Sequence, residues 1–235
     1  MEVLAVIPAR GGSKGIPRKN LVSIAGKPLV AHSIAHALAS RAVTRIVVST
    51  EDEEIAAVAR AHGAQVPFLR PAVLAEDHVL DHPVFAHVLS RLAEETPAYQ
   101  PDLVVHLRPT APFRLPEWID AAVEALSRRP EADSLRSVSP PAAHPYRMFT
   151  LDTQGFLDPL MKHAHPEPYL LRRQDLPPVY YYNCVLDVTR PQTILAKGSM
   201  TGSRILPFLM RPEDVFDIDT PQDLEYARFR MGEGR

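Results

Sequence analysis

Ile7-Pro8-Ala9-Arg10-Gly11-Gly12-Ser13-Lys14-Gly15-Ile16-Pro17-Arg18-Lys19-Asn20 holds the residues best suited to chemistry. Three glycines free the backbone to adopt angles that other residues resist. Their missing side chains let main-chain N–H groups come close to an anion. Arg10, Lys14, Arg18 and Lys19 add four positive charges, and the stretch directly follows the apolar run Val3–Ile7. A donor-rich, basic loop at the end of a buried strand is what a polyphosphate requires. Two phosphate loops are excluded by spacing. In one, Lys-Ser/Thr must follow the second glycine, whereas Ile16 follows Gly15 here; in the other, Gly-x-Gly-x-x-Gly runs into a helix, whereas Pro17 and then Leu21-Val22-Ser23-Ile24 follow here. The loop is therefore expected to wrap phosphates itself.

Asp217-Ile218-Asp219-Thr220-Pro221 is the second signal. Residues two apart in an extended segment point to one side. Two carboxylates so placed suit Mg²⁺, which takes one or two carboxylates and completes its shell with waters and phosphates. Thr220 and Pro221 also read as the cap and first residue of a final helix, which accounts for Thr220 but not for Asp217.

The opening loop closely resembles the signature loop of the acylneuraminate cytidylyltransferases, the CMP-sialic acid synthetases, and the similarity extends more thinly over most of the chain. The resemblance implies a nucleotidyltransferase-type fold with a dimerisation arm. It implies CTP and an acidic nine-carbon sugar as substrates and Mg²⁺ as cofactor. Ala9, Arg10, Gly11, Ser13, Lys19 and Asn20 would meet the nucleotide. Arg70 would read cytosine, with Val79 and Asp81 at the other base positions. Asp217 and Asp219 would hold the metal, and Arg10, Lys19 and Asp219 would be catalytic. On the sugar side Arg108 stands where the family has Gln, Asp187 where it has Tyr, and Cys184 where it has Gly, while Arg173 matches a sugar-carboxylate arginine. These departures leave the sugar open: sialic, legionaminic, pseudaminic or 3-deoxy-octulosonic acid. GTP in place of CTP, and a nucleotide-binding protein without catalysis, are the other readings.

Other constellations are weaker. His163-Ala164-His165 and the pair His78 and His82 lack Cys or Glu partners at ligand spacing. Ser13 has no evident His and Asp partners for a hydrolase. Tyr180–Tyr182 reads as strand packing and Cys184 as a small core residue.

The elements that must carry these residues alternate. Apolar runs at Val3–Ile7, Arg45–Thr50, Gln65–Leu69, Leu103–Leu107, Ser134–Val138, Tyr180–Val188 and Arg204–Leu209 read as strands. Helices are expected after Pro28 (with Leu29, Ile34, Ala37 and Leu38 on the apolar face), after Asp52, over His82–Glu95, from Pro116 to about Arg128, and from Pro221. This alternation predicts an α/β fold: a mostly parallel, Rossmann-like sheet covered by helices on both faces, with ligands at the carboxyl ends of the strands. The chain of 235 residues, 46% apolar, reads as one domain over 1–235, with the Pro- and His-rich stretch 140–178 as an inserted arm. A net charge of −2 argues against nucleic acid as partner. No apolar run of membrane-spanning length and no leader before Met1's strand point to a cytoplasmic protein, and a homodimer is implied by the resemblance. The 24 prolines and two asparagines hint at a thermophile or a GC-rich genome.

Overall fold

The computed structural model describes residues 1–232 except Thr96 and His163. Its strands are β1 (Val3–Pro8), β2 (Ser23–Ile24), β3 (Lys27–Pro28), β4 (Arg45–Ser49), β5 (Leu103–His106), β6 (Ser134–Ser139), β7 (Phe149–Leu151), β8 (Leu157–Pro159), β9 (Tyr181–Thr189) and β10 (Ile205–Leu209). Its α-helices are α1 (Leu29–Ala39), α2 (Glu53–Ala61), α3 (Asp81–Ala93), α4 (Pro116–Ser127), α5 (Pro191–Leu195) and α6 (Pro221–Arg230).

The central sheet runs in the order β10-β6-β9-β5-β1-β4. Its pairings are parallel except those of β9, which runs antiparallel to both β5 and β6. Successive side chains of a strand face opposite ways. In β1, Val3, Ala5 and Ile7 join the core beneath α1, α2 and α4, while Leu4 and Val6 join Phe85, Val88 and Leu92 of α3 on the other side. Both faces are covered, as the alternation predicts. Asp52 caps α2, its carboxylate accepting from the Ile55 amide at 3.0 Å. Pro116 opens α4, where a missing N–H costs nothing.

Three expectations need correction. Gln65–Leu69 is not a strand: Gln65 alone bridges Val47 beside β4, and Pro67, which has no N–H, ends the pairing. Leu38 leaves the apolar face of α1 and is exposed, so Ala37 is the last core residue of that helix. The short helix α5 between β9 and β10 has no counterpart in the sequence reading; its five residues are too few to show a period.

The stretch 140–178 departs from the sheet. It carries the hairpin β7–β8 and short 3-10 turns, and it leaves Leu151, Phe156, Leu157, Leu160 and Leu170 exposed. A third apolar cluster fastens the basic loop to the C-terminal segment: Ile16, Ile24 and Leu29 pack with Ile218, Leu224 and Ala227. Among the described residues no helix is long and apolar enough to cross a membrane.

The edge strand β10 is registered by Asp133. Its Oδ2 accepts from the Ser203 and Arg204 amides at 2.9 and 3.1 Å, and Lys197 Nζ reaches Oδ1 at 2.5 Å. Lys197 first, then these amides, hold the Asp133 carboxyl well below the usual carboxylate range. Its stabilisation is thus fully present above an ordinary aspartate pKa of about 4 and is lost as pH falls below it. Asp133→Asn is expected to melt lower than wild type at neutral pH and to lose less on acidification, as thermal melts across the acid range would measure. Coincident melting curves at every pH would refute this role.

Candidate active site

β1, β4 and β5 end on one side of the sheet, and a cavity of about 410 Å³ opens there. Arg10, Ser13, Lys14, Lys19 and Asn20 of the basic loop form one wall. Arg70, Asp77, Val79, Leu80 and Asp81 form a second, and Arg108, Pro109 and Thr110 a third.

The loop is held from beneath. Asn20 is buried, and its Nδ2 donates to the Arg10 carbonyl at 2.9 Å, tying the two ends together. The Gly11 amide donates to Glu51 Oε1 at 2.7 Å, and a Cβ on Gly11 would lie 2.6 Å from Asp52 Oδ2. Arg18 takes a left-handed φ of 54°, a strained conformation for a residue with a side chain, and its guanidinium is gripped by Asp52 and Glu54. The strain turns the following residue, Lys19, inward.

Lys19 Nζ donates to the Ile218 carbonyl at 2.8 Å and lies 3.1 Å from Asp219 Oδ1. The loop thus meets the second sequence signal directly. Thr220 caps α6 in a capping box with Asp223, so the capping reading holds for Thr220 and uses neither carboxylate of Asp217 or Asp219. Asp219 is exposed on Lys19. Asp217 is half-buried, and its Oδ1 has no hydrogen-bond partner. Burial, and then the charge of Asp219, raise the Asp217 carboxyl above its ordinary value, against the Thr110 hydroxyl, Lys19 and Arg108. Two neighbouring carboxylates, one with a buried oxygen lacking a partner, form a hard-oxygen donor set that fits a cation retaining waters and phosphate ligands. Among the described residues no cluster of three or more His, Cys, Asp or Glu forms an all-protein metal cage.

Beside the basic loop, Asp77 bridges two loop cations: its oxygens lie 2.9 Å from Arg10 Nη1 and 2.7 Å from Lys14 Nζ. Arg70 is buried, its Nε donating to Ser49 Oγ at 3.1 Å and its Nη2 to the Ser49 carbonyl. Desolvation lowers its pKa, and Glu51 acts against that. Only its Nη1, 3.5 Å from the Leu74 carbonyl, has a loose partner.

On the other side, Arg108 Nη2 meets Asp81 Oδ2 at 2.5 Å, while Nη1 contacts the Tyr182 hydroxyl and lies 3.6 Å from Asp187. Asp187 also accepts from Arg136 Nε at 2.9 Å and from the Tyr182 hydroxyl at 2.5 Å. Burial works against the Arg108 charge, but Asp81, Tyr182 and Asp187 outweigh it and raise its pKa. Burial drives His106, beside Asp187, well below its ordinary value, so it is neutral.

The structure therefore gathers Arg10, Ser13, Lys19, Asn20, Arg70, Val79, Asp81 and Arg108 around one cavity, with Asp217 and Asp219 joined to it through Lys19 and Thr110. Ala9 is fully buried, its amide on the Ser49 carbonyl, and Gly11 faces Glu51. Asp187 lies inside the sheet beneath Arg108. Arg173 lines a separate cleft of about 350 Å³ with His144 and Tyr180, its Nη2 on the Pro141 carbonyl at 3.2 Å. His82 bonds to the Ile194 carbonyl and His78 Nδ1 lies 3.5 Å from Glu76; His163 lies outside the described residues. Burial raises the Cys184 thiol and keeps it protonated. Asp77 and Thr110 are site residues that sequence reasoning did not single out, and Tyr182, read there as strand packing, bonds through its hydroxyl to Arg108 and Asp187.

A family model described as Cytidylyltransferase matches residues 4–229. The chain belongs to the cytidylyltransferase family. This bears out the resemblance read from the loop. The CMP-N,N'-diacetyllegionaminic acid synthase of Legionella pneumophila is 37% identical over 230 residues, covering 95% of this chain and 93% of that protein. The pseudaminic acid cytidylyltransferase of Campylobacter jejuni serotype O:2 is 32% identical, covering 97% and 95%. A solved CMP:2-keto-3-deoxy-manno-octonic acid synthetase complexed with CTP superimposes with a TM-score of 0.74 at 18% identity, covering all of both chains; it shares the fold. The cytidylyltransferase is thus an enzyme of the nucleotidyltransferase class on a mostly parallel, helix-covered sheet.

Gly15 makes the closest approach in the site. A Cβ there would lie 2.5 Å from the Asp219 carbonyl oxygen, whereas a Cβ on Gly12 meets nothing within 4 Å. Gly15→Ala must part the loop from Asp219 by about 1 Å and is expected to lower turnover about 100-fold. Gly12→Ala should leave it unchanged. CTP-dependent pyrophosphate release measures both.

Proposed function

We propose that the enzyme transfers CMP from CTP to the anomeric hydroxyl of an acidic nine-carbon sugar and releases pyrophosphate. The observation that carries this reading is the contact of Lys19 with Ile218 and Asp219, which joins a phosphate-type loop to a carboxylate pair. The reading is supported by a cavity with cations along one wall and a mixed apolar and polar patch at Leu74, Val79, Leu80 and Arg70 along another. The triphosphate lies along the loop, displacing Asp77 from Arg10 and Lys14. The base lies toward Arg70, Val79 and Asp81, where the Arg70 Nη1 proton is the available donor.

Asp217 and Asp219 would hold Mg²⁺. When bound, this cation supplies charge neutralisation at the phosphates and acidifies a hydroxyl next to it. Arg10 and Lys19 neutralise the charge that moves onto the departing pyrophosphate, an electrostatic contribution strongest in a fixed, partly dry site. Asp219, exposed and next to Lys19, accepts the proton of the attacking hydroxyl. Arg108, held by Asp81 and Asp187, fixes the far wall where the sugar stands. The names of the two relatives favour legionaminic and pseudaminic acids as first in order of trial, ahead of sialic acid.

Two further parts of the reading concern assembly. The chain acts as one domain whose arm, 140–178, docks on a second copy in the cytoplasm. Its exposed Leu151, Phe156, Leu157, Leu160 and Leu170 suit a homodimer, and Arg173, outside the cavity of its own chain, would then meet the sugar in the second copy's site.

Pyrophosphate release with CTP and Mg²⁺ against legionaminate, pseudaminate, N-acetylneuraminate and 3-deoxy-octulosonate, with GTP in parallel, tests the reaction. Release with CTP and one sugar is expected. No release by protein that binds CTP would favour a nucleotide-binding role instead. Asp219→Asn and Lys19→Ala should each lower turnover by about 100-fold or more. Light scattering should give twice the chain mass, and Leu157→Asp should give monomers; a monomeric wild type would remove the dimer from the reading.

A further inference from the structure

Arg114 is among the largest fully buried side chains of the protein, and among the described residues no carboxylate pairs with it. Burying an unpaired guanidinium is costly unless its donors are used. Here they are used on main-chain and hydroxyl acceptors: Nη2 on the Arg108 carbonyl at 3.0 Å, Nε on the Val185 carbonyl at 2.7 Å, and Nη1 on Ser33 Oγ at 3.2 Å. Ser33 Oγ in turn donates to the same Arg108 carbonyl at 3.0 Å. Burial lowers the Arg114 pKa to about 9, with Arg108 adding to the shift and Asp217 and Asp187 opposing it.

Two of the three acceptors belong to segments that serve the site, and Ser33, on α1, bonds to the same Arg108 carbonyl. Arg108 lines the cavity, and Val185 follows Cys184 in the strand that carries Tyr182 and Asp187. Two residues beyond Arg108, the Thr110 carbonyl accepts the Ile218 amide at 2.9 Å, and the Thr110 hydroxyl bonds to Asp217. One residue before Arg114, Phe113 packs edge-on against Phe216 at 5.4 Å. The loop 108–113 is thus suspended between Arg114 beneath and the Phe216–Asp219 segment beside it.

We infer that Arg114 is a positioning residue that sets the Asp217–Asp219 carboxylate pair through the 108–113 loop, and so tunes cation affinity and turnover without touching either substrate. This rests on the cation-binding role proposed for Asp217 and Asp219. Only a planar fork can serve the Arg108, Val185 and Ser33 oxygens at once; a lysine ammonium at the end of a flexible stem cannot.

The test uses the full chain. Mn²⁺ binding to the nucleotide-free protein is measured by electron paramagnetic resonance, alongside CTP affinity, melting temperature and steady-state pyrophosphate release. Arg114→Lys is expected to weaken Mn²⁺ binding and lower kcat, each by about 10-fold or more, the usual effect of losing an outer partner of a metal ligand. CTP affinity of the metal-free protein should stay within a factor of about 3, half a power of ten and so well under 1 kcal/mol. Ser33→Ala, a milder change that removes one of the two side-chain donors to the Arg108 carbonyl, should move the same two quantities the same way by less; it decides the matter if Arg114→Lys does not fold. Wild-type Mn²⁺ binding in both variants overturns the inference while leaving the reaction standing. So does a uniform loss of CTP affinity, Mn²⁺ affinity and melting temperature, which marks a purely structural role. A wild type that binds Mn²⁺ but releases no pyrophosphate with any sugar counts against the reaction alone, and the Mn²⁺ comparison still tests Arg114. A wild type that binds no Mn²⁺ overturns it as well.

Discussion

The site depends on one long-range closure: the loop at residues 10–20 must meet the segment at 217–219 across nearly the whole chain. The Lys19–Asp219 contact marks that closure but cannot hold it, because Asp219 is exposed and such pairs contribute about 0–1 kcal/mol. Ile16 and Ile218 sit in one apolar cluster with Ile24, Leu29 and Leu224. Each buried isoleucine contributes about 1.5–3 kcal/mol, so packing outweighs the ion pair several-fold. Gly15 is the complement of that packing, since a methyl group there would press on the Asp219 main chain. Lys19 and the aspartates supply the charge of this junction, and the isoleucines beside them its geometry.

Apart from Arg70, each site cation already faces an anion, and burial separates those that can let go from those that cannot. Asp77 is exposed, and Lys14 first, then Arg10, lower its pKa. Exchanging one solvated carboxylate for a triphosphate is cheap for Arg10 and Lys14. Asp187 is the opposite case. It is buried between Arg108, Arg136 and Tyr182, and removing any partner would strand a charge inside the sheet. The end of the cavity beside the basic loop is therefore adaptable and the opposite end rigid. Asp81 connects the two, lining the cavity and holding Arg108.

This difference also explains what was legible in the sequence. The loop, the Asp217–Asp219 pair and the alternation of strands and helices could be read because each rests on local composition or period. Arg70, Val79, Asp81 and Arg108 were placed by resemblance, and they line the cavity. Asp187 stood in a position expected to face the sugar, yet it is covered, because β9 runs antiparallel between β5 and β6 and turns that residue onto Arg136. Strand direction and cross-strand partners are tertiary facts, absent from a window of residues. Arg114 carried no signal of its own; nothing in Ala111-Pro112-Phe113-Arg114 says that its guanidinium is buried.

The same strand gives physical meaning to a departure from the resembled pattern. Cys184 stands where the family has glycine, and its φ is 62°, in the left-handed region that glycine enters freely and a side chain resists by about 1–2 kcal/mol. A side chain here meets a backbone demand that glycine meets most easily. Its neighbours hold the conformation: Asn183 is buried, its Oδ1 accepting from Ser137 Oγ at 2.6 Å and its Nδ2 donating to Ser139 Oγ at 2.9 Å. Ser137 Oγ also accepts the Leu186 amide at 2.9 Å, across the point where the β6–β9 register shifts. The kink turns Tyr182 toward Arg108 on one side of the shift and leaves Asp187 beneath both. A strained residue held this firmly belongs to a wall whose shape matters. Here the wall is the one that carries Arg108, where the chain departs furthest from the resembled pattern.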